Sequence, residues 1–196
     1  MRHEIILFRF TSPVHFGDAA EGGDLGEILS YCRADTFFSA LCREAADISQ
    51  ELLECVVEGV QRGKLRFSDL FPWKKRKDCN ELYLPRPVMN ISHDECGKTL
   101  SYEEVREQSA ERKKEKKRSF IRASEMESYL QGRDISAQPA FGEEELRTQY
   151  NARERRPYGI GAYHFMPDAG LYLILSGNEE CIARLERLIT LLGMTG

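Results

Sequence analysis

Residues His3 to Phe10, HEIILFRF, constrain the fold more than any other stretch of the chain. Ile6, Phe8 and Phe10 alternate with Ile5, Leu7 and Arg9, so a pleated strand here carries apolar groups on both faces. That pattern predicts a central strand of a sheet, not an edge. Pro13 lacks an amide donor and restricts Ser12 before it, and Gly17 accepts backbone angles that other residues avoid. The chain must leave the sheet between them.

Two helices are predicted next. The first starts where Asp35 or Thr36 can cap free backbone amides, and it sets Phe37, Phe38, Leu41 and Ala45 at helical spacing, leaving Arg33, Ser39 and Arg43 to face elsewhere. The second runs from about Ser49 to Gln61 with Leu52, Leu53, Val56, Val57 and Val60, and Gly63 stops it. Lys64–Phe67 and Leu82–Leu84 read as strands. The segment between them, SDLFPWKKRKDCN, is expected to be a loop whose four consecutive basic residues, Lys74 to Lys77, form a solvated turn or touch phosphate. Near the end, GLYLIL reads as a strand and ECIARLERLITLLG as a helix with Ile182, Leu185, Leu188, Ile189 and Leu192 on one side. Strands and helices segregate instead of alternating, which points to an α+β fold with an antiparallel sheet and helices on one face.

The 196 residues, 41% of them hydrophobic, suffice for one or two cores, and no run of 18 apolar residues is present. The N-terminus lacks the apolar stretch of a signal peptide, so a cytoplasmic protein without membrane contact is expected. A formal net charge of −4 excludes a generally basic nucleic-acid coat and directs attention to local patches. Cys32, Cys42, Cys55, Cys79, Cys96 and Cys181 include no C-x-x-C pair, and the H-x-x-C spacing of His93 and Cys96 lacks two further ligands. Reduced thiols, no metal and no cofactor are expected.

Two basic patches stand out. From about residue 90 to 138 the composition turns polar, and Arg112 to Arg118 holds six basic residues and one acidic one. This segment reads as a long charged insertion, either a surface loop with a charged helix or a basic finger that orders on a nucleic-acid or protein partner. In LRTQYNARERRPYGIG, Arg147, Arg153, Arg155 and Arg156 stand against one nearby acid, Glu154, with Tyr150 and Tyr158 among them. Arginine forks beside flat rings suit single-stranded RNA, and they equally suit a solvated hairpin.

The order PVHFG, ADTFFSALC, FSDLFPW and LYLPRP resembles that in RAMP proteins of CRISPR effector complexes, most of all the fourth subunit of the type III-A Csm complex. The likeness continues at KKRSFIRASEMESYLQG and at TQYNARERRPYGIGAYHF. It covers what would be roughly the N-terminal two thirds of such a subunit, so the chain is expected to be one ferredoxin-like (RRM-like) RAMP domain with the insertion at about 90–138. The family's second ferredoxin-like domain is expected to be absent. The resemblance implies a non-catalytic subunit that holds the 5′ repeat-derived tag of a CRISPR RNA and caps the base of the complex in antiviral defence. Its implied partners are the CRISPR RNA, the large polymerase-like subunit and the neighbouring backbone RAMP subunit. On the positions matching the family, His15, Gly17, Ser39, Arg43, Arg86, Arg147, Asn151, Arg153, Arg155 and Arg156 are expected to contact RNA.

Two other functions stand beside this one: a metal-independent ribonuclease cutting repeat RNA with His15 as general acid or base, and a protein-only scaffold. Cleavage by internal attack needs a base, an acid and a group that stabilises the charged phosphate, whereas the sequence offers one loop histidine without a second nearby. The purified chain is therefore expected to leave labelled repeat RNA intact, with or without divalent metal. Cleavage that disappears in a His15→Ala variant would establish the ribonuclease instead.

Overall fold

In the computed structural model, residues 1–17, 26–77, 79–88, 106, 118–151 and 155–195 are described. They form two units, Met1–Trp73 with Phe141–Gly196, and Lys74–Ala140. Among the described residues no helix is long and apolar enough to cross a membrane.

The first unit opens with β1 (Arg2–Phe8), followed by α1 (Ala34–Ile48) and α2 (Gln50–Gln61). Helix α1 starts earlier than expected, after an N-cap Arg33 that makes no side-chain capping bond, and Asp35 inside the first turn accepts from the Thr36 amide at 2.7 Å. The first amide of α1 is capped from farther away, because Asp69 Oδ1 accepts from Ala34 N at 2.7 Å. Ser49 separates the two helices: its amide continues to Ala45 O at 2.9 Å while its Oγ accepts from Leu52 N at 3.1 Å. Gly63, at a φ of 65°, ends the pair in a conformation that a side chain disfavours.

Next come β2 (Leu65–Phe67) and β3 (Phe71–Arg76), whose first three residues belong to this unit. The paired strands β6 (Gly142–Asn151) and β7 (Arg156–Phe165) follow from the later sequence, then β8 (Ala169–Gly177) and a closing helix (Glu179–Thr195). Strand β8 is the axis of the sheet. It pairs antiparallel with β1 from Arg2↔Gly177 to Phe8↔Leu171, and along its other edge with β2 from Leu65↔Gly177 to Phe67↔Leu175. Strand β3 follows β2 along that same edge. Between them the Ser68 amide donates to Ile174 O at 3.0 Å, and the Ile174 amide donates to Ser68 Oγ at 3.0 Å. The hydroxyl thus stands in for a ladder carbonyl where the edge changes from one strand to the next.

Leu171, Leu173 and Leu175 are fully buried, against Phe37, Leu41, Ala45 and Val56 of the helix pair and Ile182, Leu185, Leu188 and Ile189 of the closing helix. Helices therefore cover one sheet face, as expected. Cys32 lies in this core, where burial first, and then the charges of Asp69 and Asp35, push its thiol up to about 12.

Two expectations are corrected. Strand β1 is an edge of its sheet, not a centre: Ile6 and Phe8 pack on the core, but Ile5 and Leu7 stay 54% and 40% exposed. Apolar residues on both faces are compatible with one wet face, and β8 takes the central place. The segment expected as a loop after Ser68 is largely strand β3, because Phe71 and Trp73 alternate and Lys74–Arg76 continue the same extended backbone. Lys77, at a φ of 52°, leaves that strand.

The second unit holds the end of β3, β4 (Cys79–Pro85) and β5 (Phe120–Arg122), followed by one 3-10 turn and the short helix α3 (Met126–Leu130); the closing helix of the first unit is α4. The register Tyr83↔Arg122, Leu84↔Ile121 and Pro85↔Phe120 puts buried Tyr83 and Phe120 on one face of the pair and buried Ile121 on the other. Arg122 Nε lies 3.1 Å from Glu81 Oε2, which also accepts from Tyr83 Oη at 3.2 Å. Of the expected insertion, β5, the 3-10 turn and α3 fall within 118–138, and the basic run before Arg118, at 112–117, lies outside the described residues.

Leu173→Ala should cost about 2–5 kcal/mol through reduced burial and an unfilled cavity. Asp69→Ala should cost about 0.5–2 kcal/mol by uncapping α1. Urea denaturation followed by circular dichroism measures both, and equal losses would contradict the assignment of Asp69 as a cap alone.

Candidate nucleic-acid interface

The loop carrying His15 is tied to the root of the β6–β7 hairpin. Val14 and Tyr163 exchange backbone bonds at 3.0 and 2.7 Å, and Phe10 stacks on Phe165 with centroids 4.9 Å apart. His15 Nδ1 then lies 2.7 Å from Gly161 O. A carbonyl only accepts, so Nδ1 carries the hydrogen and Nε2 keeps the lone pair in the neutral ring. A Cβ on Gly161 would come within 2.5 Å of Ile28 Cγ2 and 2.6 Å of Gly26 O, so a side chain there would push this loop away. A Cβ on Gly17 would stand 3.2 Å from His15 Nε2, so a side chain there would crowd that nitrogen.

From this root the hairpin runs in unbroken register, Gly142↔Phe165 to Asn151↔Arg156. Directly opposed residues share a face, so Glu145, Arg147, Gln149, Arg156, Tyr158 and His164 lie on one side. Leu146, Tyr150 and Pro157 lie on the other. Tyr158 donates to Gln149 Oε1 at 2.7 Å, which fixes its ring among the charged residues. The two tyrosines that the sequence sets side by side are thus on opposite faces and cannot flank one stacked base together.

Arg147 is not an unmatched cation. Its Nε donates to Glu145 Oε2 at 2.9 Å, and His164 Nε2 lies 2.6 Å from the same oxygen. The hydrogen bond from Arg147 first, and that from His164 second, hold the Glu145 carboxyl below its ordinary value. Sequence reading missed Glu145 and His164. The one signal is period-two spacing at 143, 145 and 147, which says nothing of a cross-strand partner nearly twenty residues away. At the tip, Arg155 has a φ of 52° and Arg156 is exposed, while Arg153 lies outside the described residues. Gly161 to Arg156 is five residues of strand, about 17 Å at 3.3–3.4 Å per residue. His15 and the tip arginines therefore occupy two ends of one arm.

The remaining expected residues sit apart. Ser39 and Arg43, one turn apart on α1, line an open hollow with Asp35, Thr36 and Ala40. Arg86 belongs to the second unit, where its amide donates to Ser119 O at 2.9 Å. Of the other histidines, His3 bonds to Ser176 Oγ at 2.6 Å, and His93 lies outside the described residues. Among the described residues, no group of three His, Cys, Asp or Glu is placed to hold a metal ion.

No protein-family model matches the chain. It is 30% identical over 194 residues to the CRISPR system Cms protein Csm4 of Mycobacterium tuberculosis, in strains CDC 1551 and H37Rv alike, a match that covers 93% of this chain. It is 23% identical over 179 residues to the Csm4 protein of Streptococcus thermophilus. The chain spans 57% and 55% of the length of these relatives. Among solved structures, a chain of a Csm1–Csm4 cassette in complex with cA4 matches 97% of this chain with a TM-score of 0.64 at 20% identity, and 65% of that chain is covered. A chain of a Csm3–Csm4 subcomplex of the type III-A CRISPR-Cas interference complex matches 96% with a TM-score of 0.55 at 16% identity, 63% of that chain being covered. The resemblance carried by the sequence motifs holds against the curated relatives, and the solved structures share the fold.

Because the Glu145 carboxyl is lowered in the folded chain, its pairing stabilises above the ordinary glutamate value of 4.5 and is lost as the pH falls through the lower folded value. Glu145→Gln should therefore lower the melting temperature at pH 7. The difference from the unaltered chain should begin to close below about pH 4.5. A pH-independent difference in thermal melts would remove the ion pair from the account.

Proposed function

We infer, from the premise that this chain is a relative of the Csm4 proteins, that it is a non-catalytic RNA-binding subunit of a type III-A CRISPR effector complex acting in antiviral defence. In this reading it holds the 5′ repeat-derived tag of the CRISPR RNA and caps the base of the assembly. The large subunit and a backbone RAMP subunit are its neighbours there. The observation that carries the reading is the similarity to Csm4 over 93% of the chain. The related solved structures pair Csm4 with Csm1 in one case and with Csm3 in the other, which supports the choice of neighbours.

The topology supports a ferredoxin-like domain. Strands β1 and β2, joined through α1 and α2, both run antiparallel to β8 and hence parallel to each other, with β8 inserted between them. That is a split β-α-β arrangement. The arm supports RNA contact: a basic tip at Arg155 and Arg156, a ring at Tyr158 on the same face as Arg156, and at the root a histidine whose Nε2 can accept from a ribose hydroxyl or, when protonated, donate to phosphate. Each described histidine has its own separate partner, and this favours contact over acid–base catalysis by a histidine pair.

Replacing Arg153, Arg155 and Arg156 together by alanine should weaken RNA association of the assembled complex. It should also reduce the slope of log affinity against log salt by about 0.7 for each phosphate that is no longer neutralised. Filter-binding titrations over a range of salt read both, and unchanged affinity with an unchanged slope would refute the RNA-binding role of the tip.

A further inference from the structure

The β6–β7 arm has a second face that RNA contact leaves unexplained. Leu146 is 68% exposed and Tyr150 64% exposed, and both stand on the side opposite Arg147, Arg156 and Tyr158. Leu146 lies flat across Gly159, where a Cβ would be 3.2 Å from its Cδ1, so the two make a smooth apolar surface without a ridge. Pro157, exposed and opposite Tyr150, extends it toward the tip. At the root this surface runs into an open hollow of about 660 Å³ whose lining includes Glu27, Ile28, Glu144, Glu145, Leu146 and Gly159. Ile28 and Leu146 give the hollow apolar lining and its carboxylates make it negative, and the carboxylate of Glu144 is close enough to help raise Tyr163, which burial chiefly pushes up to about 12. A polyanion is repelled from such a surface.

We propose that this face, from Tyr150 and Leu146 to the hollow between Glu27 and Glu144, is a protein-docking surface whose occupant is a segment of a neighbouring subunit presenting a lysine or arginine flanked by aliphatic side chains. The aliphatic groups cover Leu146, Tyr150 and Pro157, which removes exposed apolar surface from water. The cation enters the hollow, where the carboxylates of Glu27 and Glu144 match it and exclude partners of like charge. The arm then works with two faces, nucleic acid on one and protein on the other. The origin of the occupant rests on the reading of this chain as a subunit, while the docking itself does not rest on RNA binding.

The test places a photo-crosslinking benzoylphenylalanine at position 146 or at position 156 of the full chain, in the effector assembly purified with its RNA. Crosslinked products are mapped by mass spectrometry. Position 146 is expected to join to a subunit at a segment with Lys or Arg beside Val, Leu or Ile, and position 156 to RNA. Glu144→Lys and Leu146→Asp, both at exposed positions that leave the core intact, should each weaken subunit association roughly tenfold, with RNA retained by the remaining tip arginines. Crosslinks from position 146 to RNA, to a second copy of this chain or to nothing overturn the proposal, as does unchanged association of both variants. Protein crosslinks at 146 without RNA crosslinks at 156 would leave the docking surface standing and remove the RNA-binding reading.

Discussion

The pairing of β8 on both of its edges is the interaction on which the first unit depends. Leu171, Leu173 and Leu175 supply the sheet side of the core, and among the described residues no other strand presents three fully buried leucines to the helices. Because β8 follows in sequence almost directly on the β6–β7 hairpin, the strand that closes the core also fixes the root of the arm. Val14 and His15 reach that root from the opposite end of the chain, so the candidate interface, like the β1–β8 pairing beside it, is held by contacts of large sequence separation.

What the sequence carries well is local. The 3.6-residue spacing of Phe37, Leu41 and Ala45, and the Ser49 and Gly63 signals that bound α2, are short-range codes, and they translate directly into the two helices. The edge position of β1 is not such a code, since it depends on which strand, some 170 residues later, takes the centre. The same holds for the cap of α1, which combines Asp35 within the first turn with Asp69 from beyond the second helix. The misread loop after Ser68 has a different cause: four consecutive cations look like a solvated turn by composition, yet extended backbone accepts the first three of them, with Lys75 and Arg76 exposed.

The candidate interface divides along the same line. Residue types were readable, so arginines, tyrosines and the loop histidine stand where a reader of the sequence would look for RNA contact. Their pairing was not, because the faces of a hairpin are assigned by register. Register separates Tyr150 from Tyr158 and sets Glu145 beside both Arg147 and His164. Of the arginines expected to bind RNA, Arg147 is thereby matched internally, and the exposed cationic character passes to the tip. Ser39 and Arg43 form a separate patch on α1 that their helical spacing alone makes continuous.

Trp73 is the single tryptophan of the chain, has no solvent exposure, and donates its Nε1 hydrogen to Phe8 O at 3.1 Å, with the Arg9 guanidinium 5.5 Å from its ring centroid. Gly170 makes this possible, since a Cβ there would stand 2.0 Å from the same carbonyl and 3.0 Å from the indole nitrogen. The protein therefore carries one indole fluorophore, seated where β1, β3 and β8 meet and remote in sequence from the arm. Its emission reports the integrity of the sheet, and that signal certifies that the scaffold has stayed folded while ligands or partners arriving at the hairpin are followed by a separate readout.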